Sequence, residues 1–162
     1  MERIDELLTF TGIKVASIKD LLELINRLKS DDEDDIGIDE HDLNLIVRDK
    51  EYAFVAAAQY QGENAALEVM NSIIASLKLK ISEEELKDHF AGAAMVFQMN
   101  PGYPFMEISA AMDLLREMSY NEDITFGITT DNKLPSDFIR VTAIITDKRD
   151  NIAMDKLRTK DL

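Results

Sequence analysis

The stretch Tyr52–Ile74, YAFVAAAQYQGENAALEVMNSII, decides how the chain folds. Residues Glu51 to Tyr60 are apolar on both alternating sets of positions, the pattern of a strand buried on both faces. The alanines Ala56 to Ala58 taken alone also suit a helix. Gln61-Gly62 breaks the pattern. From Glu63 to Leu77 the apolar residues Leu67, Met70, Ile74 and Leu77 share one side of a helix. The stretch therefore reads as a central strand, a tight break and an amphipathic helix.

Further helices and strands follow toward the C-terminus, with no internal repeat. Ser82 and Glu85 form a capping box for a short helix that contains Leu86 and Phe90. Ala93 to Met99 reads as a strand, ended by Asn100-Pro101-Gly102. A helix from about Phe105 to Met118 buries Ile108, Ala111, Leu115 and Met118. Asp123 to Thr130 is a strand, and Leu134-Pro135-Ser136 turns the chain. In the last strand, Phe138 to Thr146, Ile139, Val141, Ala143 and Ile145 alternate with Arg140, Thr142 and Ile144. The order predicts an α+β fold, a two-layer sandwich. Its four-stranded mixed sheet has parallel units and a closing hairpin, with two main helices on one face and an N-terminal helix added.

That N-terminal helix opens at Ser17, with Asp20 as its box-like partner. Ile18, Leu21, Leu22, Ile25 and Leu28 fall on one face, which needs a cover. Ser30 to Asp35, SDDEDD, reads as a solvated linker. A calcium loop fails on spacing. With Gly37 as the turn glycine, Ile36 takes a ligand position and Leu43 the place of the bidentate Glu. The expected organisation is 1–35 for the helix and acidic linker, 36–147 for the domain, and 148–162 for a charged, fraying tail.

Composition narrows the function. Of 162 residues 46% are hydrophobic, enough for one core. The net charge is -14, and eight carboxylates with no Lys or Arg lie between Asp31 and Asp42. Such a chain repels nucleic-acid phosphates and anionic membranes. It has no cysteine, hence no disulfide or thiolate metal site. The opening MERIDELL has no signal-peptide core. No apolar run reaches the ~20 residues that span a bilayer. A cytoplasmic protein without direct membrane insertion is expected.

Asp39 and Asp42, in IGIDEHDLNL (Ile36–Leu45), are the residues best placed for chemistry. As N-cap and third helical residue they are both accounted for by helix capping and the helix dipole. His41 lies between them, but adjacent residues do not converge on one ion without distant ligands. His89 reads as a helix residue, Met95, Met99, Met106, Met112 and Met118 as core filler, and Arg140 as the partner of an acidic neighbour. No nucleophile–base pair and no metal set stand out.

The chain from about Ile36 to Thr146 resembles the C-terminal domain of FtsZ, the bacterial tubulin-like division GTPase, and four blocks carry the match. YAFVAAAQYQGENAALEVMNSII resembles its strand–GEN–helix segment. AAMVFQMNPGYPFMEISAA (Ala93–Ala111) resembles the next strand, glycine turn and helix. ITFGITTDNKL (Ile124–Leu134) resembles the strand ending in an aspartate turn, and IRVTAIIT (Ile139–Thr146) the closing strand. The resemblance places Asp39 and Asp42 on the aspartates of the family's synergy loop, N-x-D-x-x-D. That loop enters the next subunit's nucleotide site and helps position the attacking water. The family's Asn is Gly37 here, and its preceding Gly is Asp34.

What this implies is half a site. Gly12, Gly37, Gly62, Gly92, Gly102 and Gly127 are too scattered to form a phosphate loop. Carboxylates alone repel a triphosphate, and phosphoryl transfer needs a cradle of N–H groups or cations. The expectation is a chain that binds no nucleotide or other cofactor by itself and is not an enzyme, supplying Asp39 and Asp42 at most in trans. Gly37, Ile38, Glu40 and His41 would form the interface with an FtsZ-like partner or a second copy. Two alternatives stand beside a filament capper or modulator. One is a self-associating scaffold using the first helix and a sheet face. The other is an excised C-terminal part of a larger FtsZ-like GTPase.

Overall fold

The computed structural model describes residues 4–29, 35–119 and 123–160. The linker expectation for 30–34 lies outside the described residues. In chain order the elements are α1 (Ile4–Thr9), β1 (Gly12–Ser17), α2 (Ile18–Leu28), α3 (Glu40–Val47), β2 (Tyr52–Gln61), α4 (Ala65–Lys80), α5 (Glu83–His89), β3 (Phe90–Met99), α6 (Phe105–Ser119), β4 (Asp123–Thr130), β5 (Phe138–Asp147) and α7 (Asn151–Lys160). The α+β fold, the mixed sheet and two main helices on one face are as expected.

The sheet has five strands in the order β1-β2-β5-β3-β4. Only β3 and β4 run parallel. The extra strand, β1, pairs antiparallel with β2, Gly12 facing Ala57. It escaped the sequence reading because only Val15 and Ala16 are fully buried, too few for an alternating signature. The closing hairpin does not form. β5 instead lies between β2 and β3, and the 131–137 connection carries it past β3. The reason is burial. Nine consecutive residues of β5, Ile139 to Asp147, are buried, and only a central strand is covered on both faces.

Strand alternation divides the core in two. Phe54, Ala56, Met95, Phe97, Val141 and Ile145 face α4 and α6, which contribute Val69, Met70, Ile73, Ile108, Ala111 and Leu115. Ala53, Val55, Ala94, Val96 and Ile144 face the other way, against Leu21, Leu24 and Ile25 of α2 and Leu43 and Ile46 of α3. The apolar face of α2 thus finds its cover on the sheet. Ser17 caps this helix, accepting from the Asp20 amide at 3.2 Å, and Ser82 caps α5 in the same way at 3.3 Å.

Other expectations change. The tail folds as α7, because Asp150 caps it through the Ala153 amide (2.8 Å) and Met154 is buried in the core. α4 starts at Ala65, since Gly62 (φ 138°) and Asn64 (φ 58°) hold left-handed turns before it. Met106 is 84% exposed and fills no core, unlike Met95, Met99 and Met112. Arg140 meets no acid among the described residues. It donates to the Phe10 carbonyl at 2.8 Å and to Gln59 Oε1 at 3.3 Å, and burial lowers its pKa.

Candidate functional site

The loop bearing Asp39 runs along the free edge of β4, and β4 is shaped to receive it. Ile36 forms an isolated antiparallel bridge with Ile128, whose amide donates to the Ile36 carbonyl at 2.7 Å. Gly127 leaves the space for this approach. A Cβ there would lie 2.9 Å from the Ile36 oxygen and 3.0 Å from Ile38 Cγ1. Beyond it, both Asp35 oxygens are engaged by Thr130, Oδ2 by the amide at 2.8 Å and Oδ1 by the hydroxyl at 2.6 Å. The neighbouring Thr129 hydroxyl donates to the Leu28 carbonyl at the end of α2, at 2.6 Å. Between loop, α2 and sheet lies a cavity of about 220 Å3, lined in part by Ile25, Leu28, Ile38, Val96 and Ile128.

From this anchored strand the chain turns into α3. Asp39 is the N-cap, its Oδ1 accepting from the amides of His41 (2.8 Å) and Asp42 (3.1 Å). The capping reading is therefore realised. Asp39, Glu40, His41 and Asp42 are all exposed, and the Asp42 side chain takes no part in the cap. Ile38 is half-buried against the second core, and Glu40 lies 3.4 Å from Lys29. Gly37 is exposed with open space around it, so nothing there requires a glycine. Ile36 and Leu45 add exposed apolar surface, 43% and 47%, on either side of the aspartates.

No family model matches the chain. Over 118 residues it is 31% identical to the cell division protein FtsZ of Helicobacter pylori strain J99, a match covering 72% of this chain and 30% of that protein. For strain 26695 the figures are 32% over 113 residues, 68% and 28%. The fold matches an empty FtsZ dimer from M. jannaschii with a TM-score of 0.61 at 19% identity, over 80% of this chain and 38% of that one. This is an FtsZ-like C-terminal domain. CetZ from Methanosaeta thermophila shares the fold more distantly, with a TM-score of 0.51 at 19% identity over 86% of this chain and 38% of that one. The chain spans about 30% of the length of the curated relatives it matches.

In this FtsZ-like domain the six predicted site residues lie on one continuous segment, at the N-terminus of α3 and the turn before it. The segment presents carboxylates to solvent, with Lys29 beside Glu40 at 3.4 Å. Among the described residues no group of three or more His, Asp or Glu is arranged to hold a metal ion. Such a surface can accept hydrogen bonds and orient water, but it cannot cradle a phosphate. The sequence reading missed the residues that position the segment: Asp35, Gly127, Thr129 and Thr130. A glycine between apolar strand residues (Phe126-Gly127-Ile128) was the one available signal of a close backbone approach.

Proposed function

We propose that this FtsZ-like domain works through protein contacts. It docks its Asp39/Asp42 face on the nucleotide-bearing face of an FtsZ-type subunit, and so caps or modulates a cell-division filament. One observation carries this reading. The two aspartates stand exposed on an anchored loop, and the Asp42 carboxylate is not consumed by the helix cap. Exposed Ile36 and Leu45 supply apolar contact beside them. A domain that docks through this face alone adds to a filament end and does not extend it.

By itself the chain is non-enzymatic on this reading and needs no cofactor. Its setting is the cytoplasm, where FtsZ-type filaments assemble, and no helix among the described residues is long and apolar enough to cross a membrane. Asp39 and Asp42 act in trans, orienting the water that attacks a partner's GTP. The scaffold alternative draws no support from α2, whose apolar face packs on the sheet. A longer FtsZ-like GTPase containing this domain would use the same face in the same way.

GTP turnover by full-length FtsZ, with and without this chain, tests the proposal. Turnover and polymer mass should both change on addition, and the double change Asp39→Ala, Asp42→Ala should remove the effect. Unchanged turnover and polymer mass on adding the wild-type chain would contradict it.

A further inference from the structure

The edge strand β4 makes contacts with the loop beyond ordinary packing. Four consecutive residues, Gly127 to Thr130, each meet the chain on the far side of the cavity in a different way. Gly127 gives room, the Ile128 amide binds the Ile36 carbonyl, the Thr129 hydroxyl binds the Leu28 carbonyl, and Thr130 grips the Asp35 carboxylate twice. The contacts fall on both sides of residues 30–34. Leu28 is the last residue of α2, and Asp35 and Ile36 begin the run into Asp39. The Asp35 carboxylate takes these two bonds in a partly buried position. A hydrogen bond to a charged group there contributes more than a neutral one on the surface. It also acts against repulsion, since Asp35 is one of eight carboxylates within Asp31–Asp42.

We propose that Gly127–Thr130 is a clamp that sets the position of the docking loop, and that Thr130 and Asp35 are its positioning residues. They touch no partner themselves. They hold the backbone from which Ile36, Asp39 and Asp42 project, so their loss weakens docking by loosening the loop while leaving the docking side chains in place. This rests on the proposed docking function for its consequence, but the clamp is a property of the isolated chain.

Two readouts separate the two ideas. The first is amide exchange at Ile128 in the free chain, which reports the bond to the Ile36 carbonyl. Thr130→Val should raise it about tenfold, the loss expected of one hydrogen bond to a charged group, and Asp35→Ala, which removes both bonds, should raise it further. Thr130→Ser, which keeps the hydroxyl, should restore slow exchange. The second is affinity for full-length FtsZ, which should fall in the same order. Wild-type exchange rates in Thr130→Val and Asp35→Ala would overturn the clamp. Faster exchange with undiminished FtsZ affinity would overturn its role in positioning. Faster exchange with no FtsZ binding by the wild-type chain would sustain the clamp and remove the docking function.

Discussion

Gly127 in β4 and Ile38 in the loop before α3 lie so close that a Cβ on Gly127 would stand 3.0 Å from both the Ile38 amide nitrogen and its Cγ1. Two of the three atoms such a Cβ would meet are backbone, the Ile36 oxygen and the Ile38 nitrogen, so the clash cannot be relieved by turning a side chain. Gly127→Ala should destabilise the chain by about 1–3 kcal/mol, the usual range for overpacking. Urea denaturation measures this. Gly37→Ala serves as the control and should cost less, because its Cβ would meet open space.

The two aspartates should separate in stability. Asp39 satisfies two amides of the first turn of α3, so Asp39→Ala should cost about 1 kcal/mol. Asp42 acts on the helix only through its charge near the N-terminus, and Asp42→Ala should cost about 0.3 kcal/mol, less in high salt. Thermal melts at two salt concentrations distinguish the pair. A functional test should therefore rely on Asp42, whose removal leaves the cap intact.

Arg140 holds the N-terminal segment at the Phe10 carbonyl from a site only 6% exposed. Its Nε has no hydrogen-bond partner among the described residues. Both Arg140→Ala and Arg140→Met lose the bond to Phe10. Met keeps the packing of the stem and removes a desolvated charge, so it should be more stable than Ala by about 1 kcal/mol or more. Protease cleavage between residues 4 and 17 should accelerate in both variants.

Tyr103 gives the chain an alkaline limb. Its Oη accepts from the Ala66 amide in the first turn of α4 at 2.8 Å. Burial foremost raises its pKa above the ordinary 10.0, and the Glu107 charge adds to the shift. A phenol with a raised folded pKa contributes stability that is whole below the unfolded pKa near 10. It is lost as pH rises through the higher folded value, because the unfolded chain releases its proton first. Stability should therefore fall above about pH 10. Tyr103→Phe should flatten this fall and cost about 1–2 kcal/mol at neutral pH, since the Ala66 amide loses its acceptor.

Much of this architecture was legible in the sequence. The long apolar periods of α4 and α6 and the capping signals at Ser17, Asp39 and Ser82 placed their elements well, because each is a local effect. What sequence could not give was lateral. β5 carries the same alternation whether it pairs with β4 or inserts between β2 and β3, and only tertiary burial decides. β1 was lost because a short strand with two buried residues leaves no period. The α3 turn was legible as a cap. The contacts beneath it were not, since the bonds from Thr129 to Leu28 and from Thr130 to Asp35 are made only in the fold.

On the proposed function, the Asp39/Asp42 face reads the nucleotide site of an FtsZ-type subunit. Co-sedimentation with full-length FtsZ, in GTP and in GDP, tests it most directly. The wild-type chain should pellet or bind in a nucleotide-dependent manner, and Asp42→Lys, which spares the cap, should abolish this. Absence of binding in both nucleotides, or equal binding by Asp42→Lys, would contradict it.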